Sequence, residues 1–214
     1  MRGFLPPRNR AAQDDDNETG RQKDRKGGVL IAGEGVYLIV SGGIMDFRIG
    51  EKVVYPNHGI GIIEEVGSKS VNGTPEEFYM LRIHANSSLV MIPTANVKSV
   101  GLRRIIKKSE IDGLFTLLKE DFFEPEADWK GRFKDHSEKM RTGSIFHVAE
   151  VLKNLVYISH KKSLSFREKR MMDRAKQLII SEVAIVRGLN EKSVEEQIDR
   201  MLSEAYSRSV KASA

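Results

Sequence analysis

The chain has no cysteine among its 214 residues. That absence excludes disulfide staples and thiolate metal sites, and it fits a reducing compartment. No apolar run reaches the roughly 18 residues of a membrane-spanning helix. The nearest stretch, Val29 to Val40, is broken by Glu34. The first residues lack the apolar core of an export signal. A cytoplasmic protein that neither enters nor leans on a membrane is the expectation.

Recognisable catalytic or cofactor motifs are scarce as well. Gly59-Ile60-Gly61 lacks the third glycine of a dinucleotide fingerprint and opens no helix. Gly67-Ser68-Lys69-Ser70 is wrongly spaced for a phosphate loop, and no helix follows it. His58, His84, His136, His147 and His160 show no metal-ligand spacing. No Ser/His/Asp set can be assembled. The expectation is a protein that is not an enzyme, with no cofactor, no metal and no small-molecule substrate.

Charge is present, and it is unevenly spread. The net charge is +5. Residues 1–44 carry 7 basic and 6 acidic side chains, and residues 45–100 carry 5 and 6. Residues 130–176 carry 13 basic and 5 acidic, a local net of +8. Such a block is either the solvated face of ordinary helices or the footprint of a polyanion.

Four stretches differ in texture. Residues 1–44 are polar and charged up to Gly28, with an acidic triplet at Asp14, Asp15 and Asp16, then apolar but dotted with glycine. They are expected to be disordered, or an extension lying ahead of a biological start at Met45. Residues 45–102 read as strands: Lys52-Val53-Val54-Tyr55, a turn at Pro56-Asn57-His58-Gly59, then Ile60 to Val66 with a bulge expected at Gly61. An Asn72-Gly73 hairpin turn follows, then Glu77 to Ile83, Leu89 to Ile92 and a last short strand over Val97 to Val100. A small antiparallel barrel or bent sheet is expected. Residues 103–208 read as a compact all-helical domain, with 209–214 a tail. Ser109 is expected to cap a helix with Ile111, Leu114, Phe115 and Leu118 inward. The next helix starts at Asp128 and the third at Ser144, with Ile145, Val148, Leu152 and Leu155 inward. Capping boxes are expected at Ser165 with Glu168 and at Ser193 with Glu196. The fold class is therefore α+β.

The only tryptophan, Trp129, lies in Asp128-Trp129-Lys130-Gly131-Arg132-Phe133-Lys134, at a helix start inside the basic block. It can anchor that helix to a core, packing on Phe133 with Met140 on the same face. It can also wedge between base pairs while Lys130, Arg132 and Lys134 hold phosphates.

Met45-Asp46-Phe47-Arg48-Ile49-Gly50-Glu51-Lys52-Val53-Val54-Tyr55-Pro56-Asn57-His58-Gly59 resembles the opening of the CarD/CdnL family of bacterial transcription regulators. Pro93 with Val100-Gly101-Leu102-Arg103, the Trp129 segment, and Leu164-Ser165-Phe166-Arg167-Glu168-Lys169-Arg170-Met171-Met172 resemble three further family motifs, in the same order. The resemblance implies a Tudor-like N-terminal domain, similar to the polymerase-interacting domain of transcription-repair coupling factor, that docks on the RNA polymerase β subunit. It implies a helical domain on promoter DNA at the upstream edge of the transcription bubble, with Trp129 as the wedge and Lys130, Arg132 and Lys134 as largely sequence-independent contacts. Lys69 matches a basic polymerase contact, and Met91 lies where some members have arginine; both are carried over as polymerase-facing. Stabilisation of the open promoter complex is the implied function. An architectural DNA-binding protein acting without polymerase is the alternative.

Overall fold

The computed structural model describes residues 28–31, 36–40, 43–44, 47–71, 73–122 and 129–212. The chain divides into two compact units, Met1–Met45 and Asp46–Ala214. In the first, strands β1 (Gly28–Ile31), β2 (Val36–Val40) and β3 (Gly43–Ile44) form an antiparallel sheet in that order. Val29 lies opposite Leu38, and Leu30 opposite Tyr37. These three strands lie in the stretch, residues 1–44, expected to be disordered or an extension ahead of Met45. Val29, Ile31, Val36, Ile39 and Val40 are β-branched and favour extended backbone, which outweighs the intervening glycines. Residues 1–27 lie outside the described residues.

The second unit is α+β, as expected. Its five-stranded antiparallel sheet has the order β7-β6-β5-β4-β8. These strands are β4 (Lys52–Tyr55), β5 (Gly59–Val71), β6 (Thr74–Ile83), β7 (Leu89–Pro93) and β8 (Arg103–Arg104). Alternation buries Val53, Ile63, Tyr79, Leu81 and Ile83 on one side, with Phe47 edge-on to Tyr79 at 5.6 Å, and the cross-strand pair Val54 and Ile60 on the other. The long β5–β6 hairpin pairs from Gly61 opposite Ile83 to Val71 opposite Thr74. Gly73 has φ +82° at its turn, and Asn72 lies outside the described residues.

Two expectations for this sheet are corrected. The bulge falls between Ile63 and Glu65, not at Gly61. Gly61 serves close approach instead: a Cβ there would lie 2.6 Å from Leu81 Cδ1 and 2.8 Å from the Arg82 carbonyl oxygen. Val97–Val100 is not a strand but a short helix, α1, following a 3₁₀ turn at Thr94–Asn96. It ends on Gly101 in the left-handed region. Four residues carry too little periodicity to separate the two forms.

Five longer helices follow: α2 (Glu110–Lys119), α3 (Trp129–Arg141), α4 (Ile145–Lys161), α5 (Phe166–Arg187) and α6 (Glu191–Ala212). The inward faces expected for α2 and α4 are buried in one core with Ala175, Ile179, Val183, Val194 and Ile198. The Ser165–Glu168 capping box is present. The other caps differ. Ser109 is itself helical in φ and ψ and makes no side-chain cap bond. Glu110 instead accepts from the Lys107 amide at 2.7 Å. Ser193 lies inside α6, whose first turn is capped by Asn190 Oδ1 accepting from the Lys192 amide at 2.7 Å. The helix also covers most of the expected 209–214 tail.

Sheet and helices meet in a polar joint. Arg103 donates through both terminal nitrogens to Glu182, at 2.6 and 2.9 Å, and through Nε to the Gly143 carbonyl. Glu182, 3% exposed, also accepts from the Ile106 amide at 2.9 Å. Gly101 and Gly143 both have positive φ, and a Cβ on Gly143 would lie 2.9 Å from the Gly101 oxygen and 3.1 Å from Pro56 Cγ.

Candidate nucleic-acid interface and sheet edge

Helix α3 is a strongly polar helix, and its docking is polar too. Its buried stripe is Arg132, His136 and Met140, spaced by four. Arg132 is only 5% exposed, and its Nη2 lies 3.2 Å from Glu168 Oε1. His136, 1% exposed, has Nε2 at 3.5 Å from Asn154 Nδ2 on α4. Lys139 bridges Asp135 at 3.2 Å and Glu150 at 3.1 Å. Burial, the largest influence, holds His136 below the ordinary histidine value. Asp135 opposes this, Lys139 and Arg132 reinforce it, and Glu168 opposes it weakly.

Arg132, expected from the resemblance to contact DNA, is thus buried against Glu168. A guanidinium committed to a buried carboxylate is a structural cation rather than an available phosphate ligand. Lys130 and Lys134 are exposed. Trp129 is the first residue of α3, one turn ahead of Arg132. Its side chain lies outside the described residues, and so does the expected helix start at Asp128.

Glu168 joins α3 to the start of α5. One oxygen accepts from Arg132, while the other accepts from the Ser165 amide at 3.0 Å and hydroxyl at 2.8 Å. Burial pushes this carboxyl up, yet the Ser165 and Arg132 hydrogen bonds outweigh it and leave it below its ordinary value. Beside this node stands Phe166, 74% exposed, with the Arg170 guanidinium 5.7 Å from its ring centre. Arg167 and Lys169 are exposed on the same turn. The starts of α3 and α5 therefore present an aromatic ring among cations. Sequence reading assigned Phe166 no role. The available signal was a large apolar residue immediately after a cap, outside the inward stripe of its helix.

The sheet carries a second exposed surface. Strand β7 pairs with β6 on one side and closes that end of the sheet order. Leu89 and Met91 are exposed on it, Met91 at 46%. Lys69 is exposed on the hairpin, opposite Glu76, while Met91 lies opposite Met80. The two rows are about 13 Å apart by strand rise. Among the described residues, no three His, Asp or Glu side chains gather as metal ligands, and no helix is long and apolar enough to cross a membrane.

The second unit is thus of the class that joins an antiparallel sheet, ending on a strand with exposed apolar side chains, to a helical body with a basic surface. Comparison with known proteins narrows that class. Residues 47–106 match the CarD-like/TRCF RID domain, and residues 113–199 match the CarD C-terminal domain. The chain is 32% identical over 148 residues to the Bacillus subtilis (strain 168) protein named "Putative transcription factor YdeB", covering 69% of this chain and 97% of that one. Among solved structures, CdnLNt from Myxococcus xanthus is 43% identical, covering 29% of this chain and 89% of that one, with a TM-score of 0.26. The N-terminal domain of Myxococcus xanthus CarD is 31% identical, covering 27% and 77%, with a TM-score of 0.25. The chain belongs to the CarD family.

Proposed function

We propose that this protein is a transcription factor that docks on the RNA polymerase β subunit through its sheet and stabilises the open promoter complex through its helices. The observation that carries the second half is the aromatic and basic surface at the joined starts of α3 and α5. Trp129, at the tip of α3, is the wedge. Inserting a ring at the upstream edge of the bubble costs a few kcal/mol of unstacking per step, and the contacts it gains offset that. Reannealing must then expel the wedge, so the open state lives longer. Lys130 and Lys134 supply attraction to phosphate without reading sequence. Such a protein works in the cytoplasm, at the nucleoid. For the first half, a β-strand edge with exposed Leu89 and Met91 suits strand addition, in which backbone hydrogen bonds give affinity and alternate side chains give selectivity.

The test is Trp129→Ala, assayed for polymerase retention and for the lifetime of open promoter complexes. Retention is expected to persist while the lifetime falls several-fold. An unchanged lifetime would remove the wedge. DNA binding with no retention of polymerase would favour the architectural alternative.

A further inference from the structure

Where Asn57 of the β4–β5 turn meets α3 and α5, the surface opens into a groove of about 810 Å³. Its walls carry Arg141, Arg170 and Arg174 above a floor that includes the buried Met140. Elsewhere, six described arginines each hold a carboxylate, Arg103 with Glu182 and Arg132 with Glu168 among them. Among the described residues, no ion pair joins Arg141, Arg170 or Arg174 to a carboxylate, and the same holds for Arg167 and Arg200. Arg170 faces the Phe166 ring, and Arg141 is exposed to the groove. Arg174 is half-buried and gives its Nε and Nη2 to the Asn57 carbonyl, at 3.0 and 2.6 Å. Three of its five N–H donors are left over. The one carboxylate on the lining, Asp173, makes no ion pair with any of them.

A partly desolvated cation without a counter-charge is costly, and burial alone lowers the pKa of Arg174. A planar guanidinium matches two phosphate oxygens at once. A volume near 800 Å³ is that of a ligand cleft rather than of a single ion site.

We infer that this groove is a phosphate-binding site, in which Arg141 and Arg174 clamp a phosphate-bearing ligand between the Asn57 turn and helices α3 and α5. The phosphate can come from a free polyphosphate or nucleotide, or from a nucleic-acid strand. The inference goes beyond the DNA-wedge reading and stands without it, because no groove residue belongs to the Trp129 segment.

The experiment titrates inorganic pyrophosphate into the full chain by calorimetry at low salt, and in parallel measures duplex DNA affinity across salt concentrations. Saturable one-to-one pyrophosphate binding is expected, at least tenfold weaker in the Arg141→Gln, Arg174→Gln double variant. If pyrophosphate does not bind but the double variant lowers the salt slope for DNA by about two, the ligand is a strand phosphate and the site stands. Binding of both ligands that the substitutions leave unchanged, or binding of neither, overturns it. Should the double variant lose its melting transition, Arg141→Gln alone carries the test, since it leaves the Arg174–Asn57 contact in place. At least a threefold loss is expected from that single change, and no loss overturns the site.

Discussion

At the scale of the residue, His136 sets a pH dependence. It is buried between α3 and α4 and held below the ordinary value, with burial the largest cause. The unfolded chain therefore binds its proton more readily than the folded one. Its contribution to stability is complete above the unfolded value of about 6.5 and is lost as pH falls below it. The melting temperature is expected to decline in that window, and His136→Asn is expected to flatten the decline. An unchanged slope in the variant would assign the acid sensitivity to other groups. Glu168, also lowered, begins to lose its contribution only as pH falls through the ordinary glutamate value of about 4.3, below the onset for His136. Single residues were unevenly legible. The count of cations around Trp129 was plain in the sequence, but not which of them is spent inside. Arg132 and Lys134 are both basic residues on one helix. Only the register against Glu168, 36 positions away, buries the first and exposes the second.

At the scale of the element, periodicity gave the helices and their inward faces, because α2, α4 and α5 each repeat their apolar residues every three or four positions. It failed at α1, too short to show a period, and at the start of α6, where Asn190 and Ser193 are both competent caps. The joint was hidden altogether. Nothing in the sequence marks Glu182, a carboxylate in the middle of an apolar stripe, as the partner of Arg103 and of the Ile106 amide. Removing it should be severe. Glu182→Ala leaves a guanidinium and a buried amide without their acceptor. Because Arg103 is itself only partly buried, a loss of about 3 kcal/mol is expected, at the low end for a broken buried pair. Urea denaturation checks this, and a change below about 0.5 kcal/mol, the usual scale of surface substitutions, would mean that the joint is dispensable.

At the scale of the whole molecule, two surfaces make two separable predictions. Lys130→Gln with Lys134→Gln should weaken DNA about equally for all sequences and lower the salt slope by about two, one released counterion per lost contact. Arg132→Gln should instead lower the melting temperature, since it strands Glu168. A pair variant with the parental salt slope would show that neither lysine meets phosphate. On the sheet, Met91→Glu or Lys69→Glu should reduce β-subunit binding at least tenfold while the melting curve stays in place. Equal affinity would take that residue out of the docking surface. The strands themselves were legible from turn residues and β-branched runs, but which strand lies at the edge follows from the order β7-β6-β5-β4-β8, and composition does not encode that order. The close Gly101–Gly143 approach has a further consequence. Where Gly143 meets the Gly101 backbone and Pro56 with no room for a Cβ, the halves are seated face to face rather than strung on a tether. A protein built this way works as a gauge block. In the proposed function its reach from polymerase to DNA is then a fixed length, and inserting one base pair on the DNA side is expected to shift the target by about 3.4 Å and turn it away from the tip. A tethered protein would absorb that change in its linker; here the open-complex lifetime is expected to fall, and an unchanged lifetime would mean that the two halves do not act as one rigid piece.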